Sequence, residues 1–275
     1  MLSAIIAPLA GSPVLIANQF TTPIVPPVVL WIDKIHGIFG AYSRIVVNSQ
    51  TIEDHFAAHP LRYRKHLVRI DHGFRERAST LSKSEARSLF GLPQDAPLLG
   101  SVGRLAPSKH YDAAVKLLTR NAGWNLALCG HGPDRDRLRA IAGSLGCAGR
   151  LHLIGEVQSE KVGDFLAALD VFVFPSLAET FGLAAVEGAQ AGAPLVVNDL
   201  SVLREVLAVE DQPCALFVDV DDTDAFATAV SRLLEDDVLR ERLTTVGRRL
   251  KDRYPLDSMY DAYDRMIREA LADIA

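Results

Sequence analysis

Short apolar segments alternate with segments of helical composition along most of this 275-residue chain. The alternation is clearest after residue 97, where the apolar segments are short enough to be buried strands. The predicted strands are residues 98–102, 124–129, 150–153, 171–174, 195–197 and 215–218. Strands that alternate with helices form βαβ units, which build parallel sheets with right-handed crossovers. The sequence therefore predicts an α/β fold with a complete, doubly wound, Rossmann-like domain in this region.

The N-terminal part of the chain shows the same alternation over a shorter length. The strands predicted there are residues 14–17, 45–47 and 67–70. A helix is predicted from Pro27 to about Tyr42, and Ser49 or Thr51 is suited to cap the helix that follows. The polar stretch 75–84 is interpreted as a linker.

The end of the chain has the apolar spacing of helices. They are predicted at residues 222–234, 238–250 and 256–274. These assignments divide the chain into a partial N-terminal Rossmann-like domain (residues 1–80), a C-terminal domain (residues 81–255) and a terminal helix (residues 256–275).

Composition and charge narrow the class of protein. A hydrophobic fraction of 49% and a charged fraction of 23% are those of a soluble globular protein. The net charge of −5 argues against a nucleic-acid surface. Cys129, Cys147 and Cys214 are odd in number and far apart, which fits neither a zinc site nor a disulfide framework. We expect buried thiols and a reducing, cytoplasmic compartment.

Three segments of the first 66 residues bear on membranes. Residues 1–11 lack the basic residues of a signal peptide, and residues 13–32 are interrupted by prolines, so neither secretion nor a membrane span is expected. Arg62, Arg64 and Lys65 form the densest basic cluster. It is interpreted as a solvated helix end, with peripheral contact to an anionic lipid or an acceptor as the alternative.

The stretch 171–188 combines a strand, a loop and a helix in a way that favours ligand binding. In open α/β sheets, ligands lie beyond the carboxyl ends of the strands, and a helix start offers free N–H groups to an anion. Phe181, Gly182 and Leu183 are placed to present such amides. Glu179 precedes the helix and Glu187 lies about two turns into it, so the two carboxylates suit separate contacts along a hydroxyl-rich ligand. The alternative is a pair of ordinary surface acids.

Loops after two earlier strands carry further candidate residues. Gly103, Arg104 and Lys109 follow the first strand of the C-terminal domain, where two cations can neutralise a bound diphosphate. The alternative is two ordinary surface cations. Gly130 and His131 follow the next strand in a turn too short to be a P-loop, and His131 is interpreted as structural, with a catalytic role as the alternative.

Several segments, in order, resemble one enzyme family. They are Val46-Val47-Asn48-Ser49, Val102-Gly103-Arg104 with Lys109, Cys129-Gly130-His131-Gly132-Pro133, Leu153-Ile154-Gly155-Glu156-Val157, and Glu179 to Glu187 followed by Gly192-Ala193-Pro194. The ordered set resembles the retaining, nucleotide-sugar-dependent glycosyltransferases of the GT-B fold, family 4. The resemblance extends from about residue 13 to about residue 270 and implies a GT-B-like fold with an N-terminally shortened first domain.

The resemblance also implies roles for individual residues. Arg104, Lys109 and Glu179 correspond to the catalytic positions. The implied donor-binding residues are Gly103, Gly130, Val157, Phe181, Gly182, Leu183 and Glu187. No metal or other cofactor is implied, because cations in the site neutralise the leaving diphosphate. The terminal helix is expected to pack back on the N-terminal part.

The sequence departs from the family pattern at three places. His110 stands where Gly is common after the lysine, Gly188 stands where Ala is usual after the second glutamate, and Asn18 and Gln19 occupy the position where a cleft histidine is often found. The last departure, with the shortened first domain, leaves the acceptor unidentified.

We therefore expect a hexosyltransferase that moves a sugar from a nucleoside-diphosphate sugar to a sugar, lipid or small-molecule acceptor. One alternative is a non-catalytic nucleotide-sugar-binding or scaffolding module. Another is a nucleotide-sugar hydrolase or epimerase on the same fold. A second copy of the chain or a different partner is expected to cover the shortened first domain.

Overall fold

The computed structural model describes residues 14–18 and 27–273, which form two compact units. The first unit contains the described residues up to Arg75 and those from Tyr254 onward, and the second contains Glu76–Arg253. The sequence had placed the boundaries at residues 80 and 255. The predicted apolar N-terminal segment and Gln19 lie outside the described residues.

The first unit is built on a three-stranded parallel sheet. Its strands are β1 (Ile16–Asn18), β2 (Arg44–Val47) and β3 (Leu67–Arg69), which confirms the three predicted strands. They lie in the order β1–β2–β3. The helices between them are α1 (Pro27–Ile38), α2 (Gln50–His55) and α3 (Leu61–Arg64).

Two predictions about helix ends in this unit have different outcomes. The first helix stops at Ile38 rather than continuing to Tyr42, because Gly40 adopts a φ of +76°, which helical backbone does not allow. Ser49 is the N-cap of α2, and its hydroxyl accepts a hydrogen bond from the Ile52 N–H at 3.3 Å.

Both faces of this sheet are covered. Successive side chains along β2 point to opposite faces, and Ile45, Val46 and Val47 are all apolar, so both faces need a core. Ile45 and Val47 point to a core that contains Phe56 and Tyr63. Val46 points the opposite way, to a core shared with Met266. Met266 belongs to the C-terminal helix Leu256–Ala272, which is thus part of the first unit.

The second unit is a doubly wound domain around a six-stranded parallel sheet. Its strands confirm the six predicted from the sequence, and their bounds are β4 (Leu98–Val102), β5 (Asn125–Cys129), β6 (Leu151–Gly155), β7 (Val171–Phe174), β8 (Leu195–Asn198) and β11 (Ala215–Val218). Their order in the sheet is β11–β8–β7–β4–β5–β6. All four residues of β7 are buried, as expected for a central strand covered on both faces.

Nine α-helices lie among the described residues of this unit. They are α4 (Lys83–Leu89), α5 (Tyr111–Leu117), α6 (Arg135–Ser144), α7 (Val162–Ala167), α8 (Leu183–Gln190), α9 (Ser201–Val206), α10 (Thr223–Glu235), α11 (Asp237–Arg248) and α12 (Leu250–Arg253). Short 3₁₀ turns span Pro107–Lys109, Ala148–Arg150 and Ser159–Lys161. Throughout the described part of the chain, the helices lack the length and apolar character needed to cross a bilayer.

One hairpin was not predicted. It pairs β9 (Ala208–Val209) with β10 (Gln212–Pro213) in antiparallel fashion. Its turn places Glu210 and Asp211 at φ values of +51° and +63°. Tight hairpin turns of this kind usually contain Asn or Gly, so the sequence carries a weak signal for this one.

The predicted linker is firmly attached to the second unit over most of its length. Ser79 Oγ donates a hydrogen bond to Asp164 Oδ1 at 2.6 Å, and helix α4 begins at Lys83 with a Ser82–Glu85 capping box. The structure changes units at Arg75, so only the first residues of the stretch connect them.

Candidate functional site

The strand order of the large sheet locates the site. The chain proceeds from β4 outward through β5 and β6, and then returns to place β7 on the other side of β4. In open α/β sheets, ligands bind beyond the carboxyl ends of the strands at such a reversal. The loops that leave β4 and β7 at this point carry Lys109 and Glu179, respectively.

These two loops are joined by an ion pair and a backbone hydrogen bond. Lys109 Nζ lies 2.5 Å from Glu179 Oε1, and the Glu179 side chain is only 11% exposed. The Lys109 ammonium also lies 5.3 Å from the centre of the Phe174 ring. The Leu177 N–H donates to the Ser108 carbonyl at 3.0 Å, which fixes one loop against the other. The structure thus brings together two of the predicted catalytic residues.

A cavity of about 550 Å³ lies at the carboxyl ends of β4, β5 and β6. Four predicted site residues line it: Gly103, Arg104, Gly130 and Val157. Arg104 is exposed to solvent and makes no ion pair with any residue between 27 and 273. The Lys109–Glu179 pair does not line this cavity.

The cavity wall requires glycine at Gly130. Its φ is +145°, and a Cβ atom at this position would lie 2.0 Å from the carbonyl oxygen of Gly103. Both backbones are held in place, since the Gly130 N–H donates to Gly155 and the Gly103 N–H donates to Cys129. The wall is therefore shaped by two backbones in direct contact.

Glu187 is paired with an arginine that the sequence analysis missed. Arg77 Nε lies 2.6 Å from Glu187 Oε1, and the two side chains are 25% and 18% exposed. Arg77 also donates to the hydroxyl of Ser159 at 2.7 Å and to the Ser159 carbonyl. The two glutamates of the motif therefore have different cationic partners.

Tyr111 is a second residue that the sequence did not reveal. Its ring is buried, and its hydroxyl oxygen would lie 2.7 Å from a Cβ atom built on Gly103. Burial and the negative charge of Glu179 raise the pKa of Tyr111 well above its ordinary value, so its hydroxyl keeps its proton. Tyr111 thus lies behind the cavity wall at Gly103, within electrostatic range of Glu179.

The helix after β7 begins two residues after Phe181, the first of the three residues that the sequence placed at its start. Its first residue is Leu183, and Gly182 is the N-cap with a φ of +85°. A Cβ atom on Gly182 would lie 2.5 Å from the Leu203 side chain, so glycine is needed for both its backbone and its contacts. Phe181 is buried, and the amides of Gly182 and Leu183 belong to the first turn, where N–H groups have no partner within the helix.

The departure at His110 has a structural consequence. His110 adopts a φ of +51°, a conformation that favours glycine. Its ring lies 2.9 Å from Asp221 and 3.4 Å from Asp112, which hold the side chain in place. Nothing in the structure explains Gly188, where a Cβ atom would make ordinary contact with Phe172.

The described residues contain no cluster of metal ligands. Within the ranges 14–18 and 27–273, no three His, Cys, Asp or Glu side chains lie close enough together to share an ion. Buried Cys129 lines the cavity, and burial raises its pKa to about 11.

A doubly wound domain with cationic and acidic side chains at its topological switch point is typical of nucleotide-dependent α/β proteins. Residues 82–250 match the family described as "Glycosyl transferases group 1", and the chain belongs to this family. It is 31% identical over 182 residues to the lipopolysaccharide core biosynthesis glycosyltransferase LpsE of Rhizobium meliloti, covering 66% of this chain and 52% of that protein. It is 34% identical over 165 residues to the phosphatidyl-myo-inositol mannosyltransferase of Mycolicibacterium smegmatis, covering 58% and 42%.

Solved structures confirm the predicted GT-B-like fold class. Sucrose-phosphate synthase of Thermosynechococcus elongatus has a TM-score of 0.83 at 20% identity, over 99% of this chain and 72% of that one. Anabaena HepE, crystallised with UDP and glucose, has a TM-score of 0.84 at 20% identity, over 99% and 75%. The chain spans about half the length of the curated relatives it matches.

Proposed function

We propose that this chain is a retaining glycosyltransferase that moves a sugar from a nucleoside-diphosphate sugar to an acceptor. The observation that carries the proposal is the Lys109–Glu179 pair at the topological switch point. The names of the curated relatives and the UDP in the HepE crystals support the same donor class. The family 4 assignment comes from the Glu179 to Glu187 spacing.

The proposed mechanism assigns one part of the donor to each charged group. The diphosphate gains negative charge as its bond to the sugar breaks, and Arg104 and Lys109 are placed to stabilise that charge. The amides of Gly182 and Leu183 supply further donors to the phosphates. Glu179 contacts the transferred sugar, and Glu187 contacts the ribose. These groups perform the charge neutralisation without a metal ion.

The cations are tested by comparing turnover with donor binding. Lys109→Ala and Arg104→Ala should each lower kcat about a hundredfold, and the donor Kd should rise less, because the charge develops in the transition state. Lys116→Ala is the matched control, since Lys116 is exposed on α5. Neither EDTA nor added magnesium should change any of these rates. An unchanged kcat with a raised donor Kd would assign the residue to ground-state binding only.

The glutamates are tested with free nucleotide. Glu187→Ala should weaken both the nucleoside diphosphate and the intact donor, because both contain the ribose. Glu179→Ala should weaken the donor and spare the free nucleotide. Calorimetric titration with UDP, GDP and ADP and with their sugar conjugates measures both effects. Equal losses of nucleotide affinity in the two variants would rule out this division of roles.

Two other activities use the same donor site. A non-catalytic binding module would bind the nucleotide sugar and release no nucleotide when acceptors are added. A hydrolase or epimerase would release free sugar or isomerised donor without an acceptor. Chromatography of the products distinguishes these outcomes from transfer.

We further propose that the first unit contacts a partner. Trp31, Phe39 and Leu61 are 65%, 80% and 72% exposed, and Arg62, Arg64 and Lys65 are also exposed. Apolar and basic side chains of this kind suit peripheral contact with the anionic inner face of the membrane from the cytoplasm. Co-sedimentation with vesicles of phosphatidylglycerol and phosphatidylcholine tests this proposal. Sedimentation velocity without vesicles tests the alternatives of a second copy or a partner chain.

A further inference from the structure

Arg77 joins the glutamate that the proposed function places at the ribose to the turn that follows two residues of the cavity wall. Its Nε donates to Glu187 on helix α8, and its Nη1 donates to the carbonyl and the hydroxyl of Ser159. Ser159 begins the 3₁₀ turn that follows Glu156 and Val157, two residues of the cavity wall. One guanidinium therefore connects the cavity wall to the second glutamate of the motif.

The backbone of Arg77 is fixed independently of its side chain. The carbonyl oxygen of Arg77 lies against Gly163, where a Cβ atom would come within 2.1 Å of it. Two residues later, the Ser79 hydroxyl donates to Asp164 and accepts from the Leu81 N–H at 3.0 Å. Arg77 is thus anchored on helix α7 before its side chain reaches Glu187.

The pairing leaves half of the Glu187 carboxylate for a ligand. Within residues 27–273, the hydrogen bond from Arg77 reaches Oε1 only. An ionised carboxylate has two acceptor oxygens, so Oε2 can accept a hydrogen bond from a ribose hydroxyl while Oε1 remains bonded to Arg77. The planar guanidinium suits this task, because its nitrogens point at Glu187 and Ser159 from fixed directions.

We infer that Arg77 is a positioning residue for the nucleoside half of the donor, acting through Glu187 on the ribose. The inference rests on the proposed donor function. Arg77 orients the carboxylate that receives the ribose, and its bonds to Ser159 keep the guanidinium in the direction that this orientation requires. The nucleoside does not change its charge during sugar transfer, so Arg77 affects ground state and transition state alike.

Two nucleotides separate positioning from general structural support. Wild type and variants are titrated in the calorimeter with uridine 5′-diphosphate and with its 2′,3′-dideoxy analogue, which lacks the ribose hydroxyls. Arg77→Gln removes the charge. Arg77→Lys keeps the charge but lacks the planar guanidinium, whose separate nitrogens bond Glu187 and Ser159. Arg75→Gln is the matched control, because Arg75 is exposed nearby and forms no ion pair with a described residue. If guanosine or adenosine diphosphate binds more tightly than the uridine compound, that nucleotide and its dideoxy analogue are used.

Arg77→Gln should weaken the diphosphate about tenfold, as expected for the loss of one charge-assisted hydrogen bond. Arg77→Lys should restore part of the loss, and Arg75→Gln should bind as wild type does. With the dideoxy analogue, wild type and Arg77→Gln should bind with equal, weaker affinity. If Arg77→Gln does not fold, the same comparison is made with Arg77→Lys, which should bind the diphosphate several-fold more weakly than wild type.

Two results would overturn the inference alone, and a third would overturn the proposed function. Unchanged affinity for the diphosphate in the Arg77 variants overturns the inference. An equal fold loss on the diphosphate and on its dideoxy analogue also overturns it, since the effect would not pass through the ribose contact. A wild-type protein that binds none of the nucleoside diphosphates overturns the proposed function itself, and the inference with it.

Discussion

Gly130→Ala should destabilise the second unit strongly, because the structure leaves no room for one methyl group at this position. A Cβ atom would lie 2.0 Å from the Gly103 carbonyl oxygen, and the φ of +145° is unfavourable for alanine. Neither backbone can move freely, since Gly103 and Gly130 both donate hydrogen bonds to neighbouring strands. A local backbone strain of roughly 1–3 kcal/mol and an overpacking cost of roughly 1–3 kcal/mol add to a loss of about 4 kcal/mol.

The same substitution at Gly143 provides the control. Gly143 lies within helix α6, has an ordinary backbone conformation, and offers its added Cβ no neighbour within 4 Å. Alanine is the better helix former, so Gly143→Ala should raise the free energy of unfolding by about 0.5–1 kcal/mol. One methyl group is thus expected to act with opposite sign at two glycines of the same unit.

Urea denaturation followed by circular dichroism measures both effects, and calorimetry with a nucleoside diphosphate reports on the cavity. The reasoning would be refuted if the free energy of unfolding of Gly130→Ala lay within about 0.5 kcal/mol of the wild-type value, because a change that small is typical of an ordinary surface substitution. A destabilised Gly130→Ala variant that bound nucleotide normally would instead show that the donor does not use this cavity.

Two further predictions concern ionisation and thiol reactivity. Burial opposes the charge on Asp170, but its bonds to Lys83 and the Leu98 N–H and the nearby charge of Arg87 outweigh this and lower its pKa below 3.8. The ionised carboxylate therefore stabilises the fold fully above pH 3.8, and this stabilisation is lost as pH falls through the lowered pKa. Asp170→Asn should lower the free energy of unfolding by about 2 kcal/mol at pH 7 and by progressively less below pH 3.8. Equal losses in urea titrations at pH 7 and pH 3 would contradict this. Burial raises the pKa of Cys129 to about 11 and that of Cys214 to about 12, so the folded protein should resist dithionitrobenzoate at pH 8 until urea is added, and rapid labelling without urea would disprove burial of these thiols.

The order of strands and loops in the large unit was accessible from the sequence. Each strand of the six-stranded sheet is a short apolar run between polar loops, and a central strand such as β7 must be apolar on both faces because it is covered on both. The same rule placed Lys109 and Glu179 beyond strand ends, where ligands bind. The local pattern did not predict which strands are neighbours in the sheet, because strand order is a property of the whole sheet.

Only the tertiary structure paired the charges. Arg77 and Glu187 are 110 residues apart, and the stretch that holds Arg77 has the polar composition of a linker. Its attachment depends on Gly163 and Asp164, whose placement follows from how α7 packs. Glycine is likewise needed at Gly130 because the backbone of Gly103 lies against it. The residues next to Gly130 in the sequence give no sign of this contact. Local periodicity determines which segments are buried, whereas contacts between distant segments are set by the packing of the completed sheet and its helices.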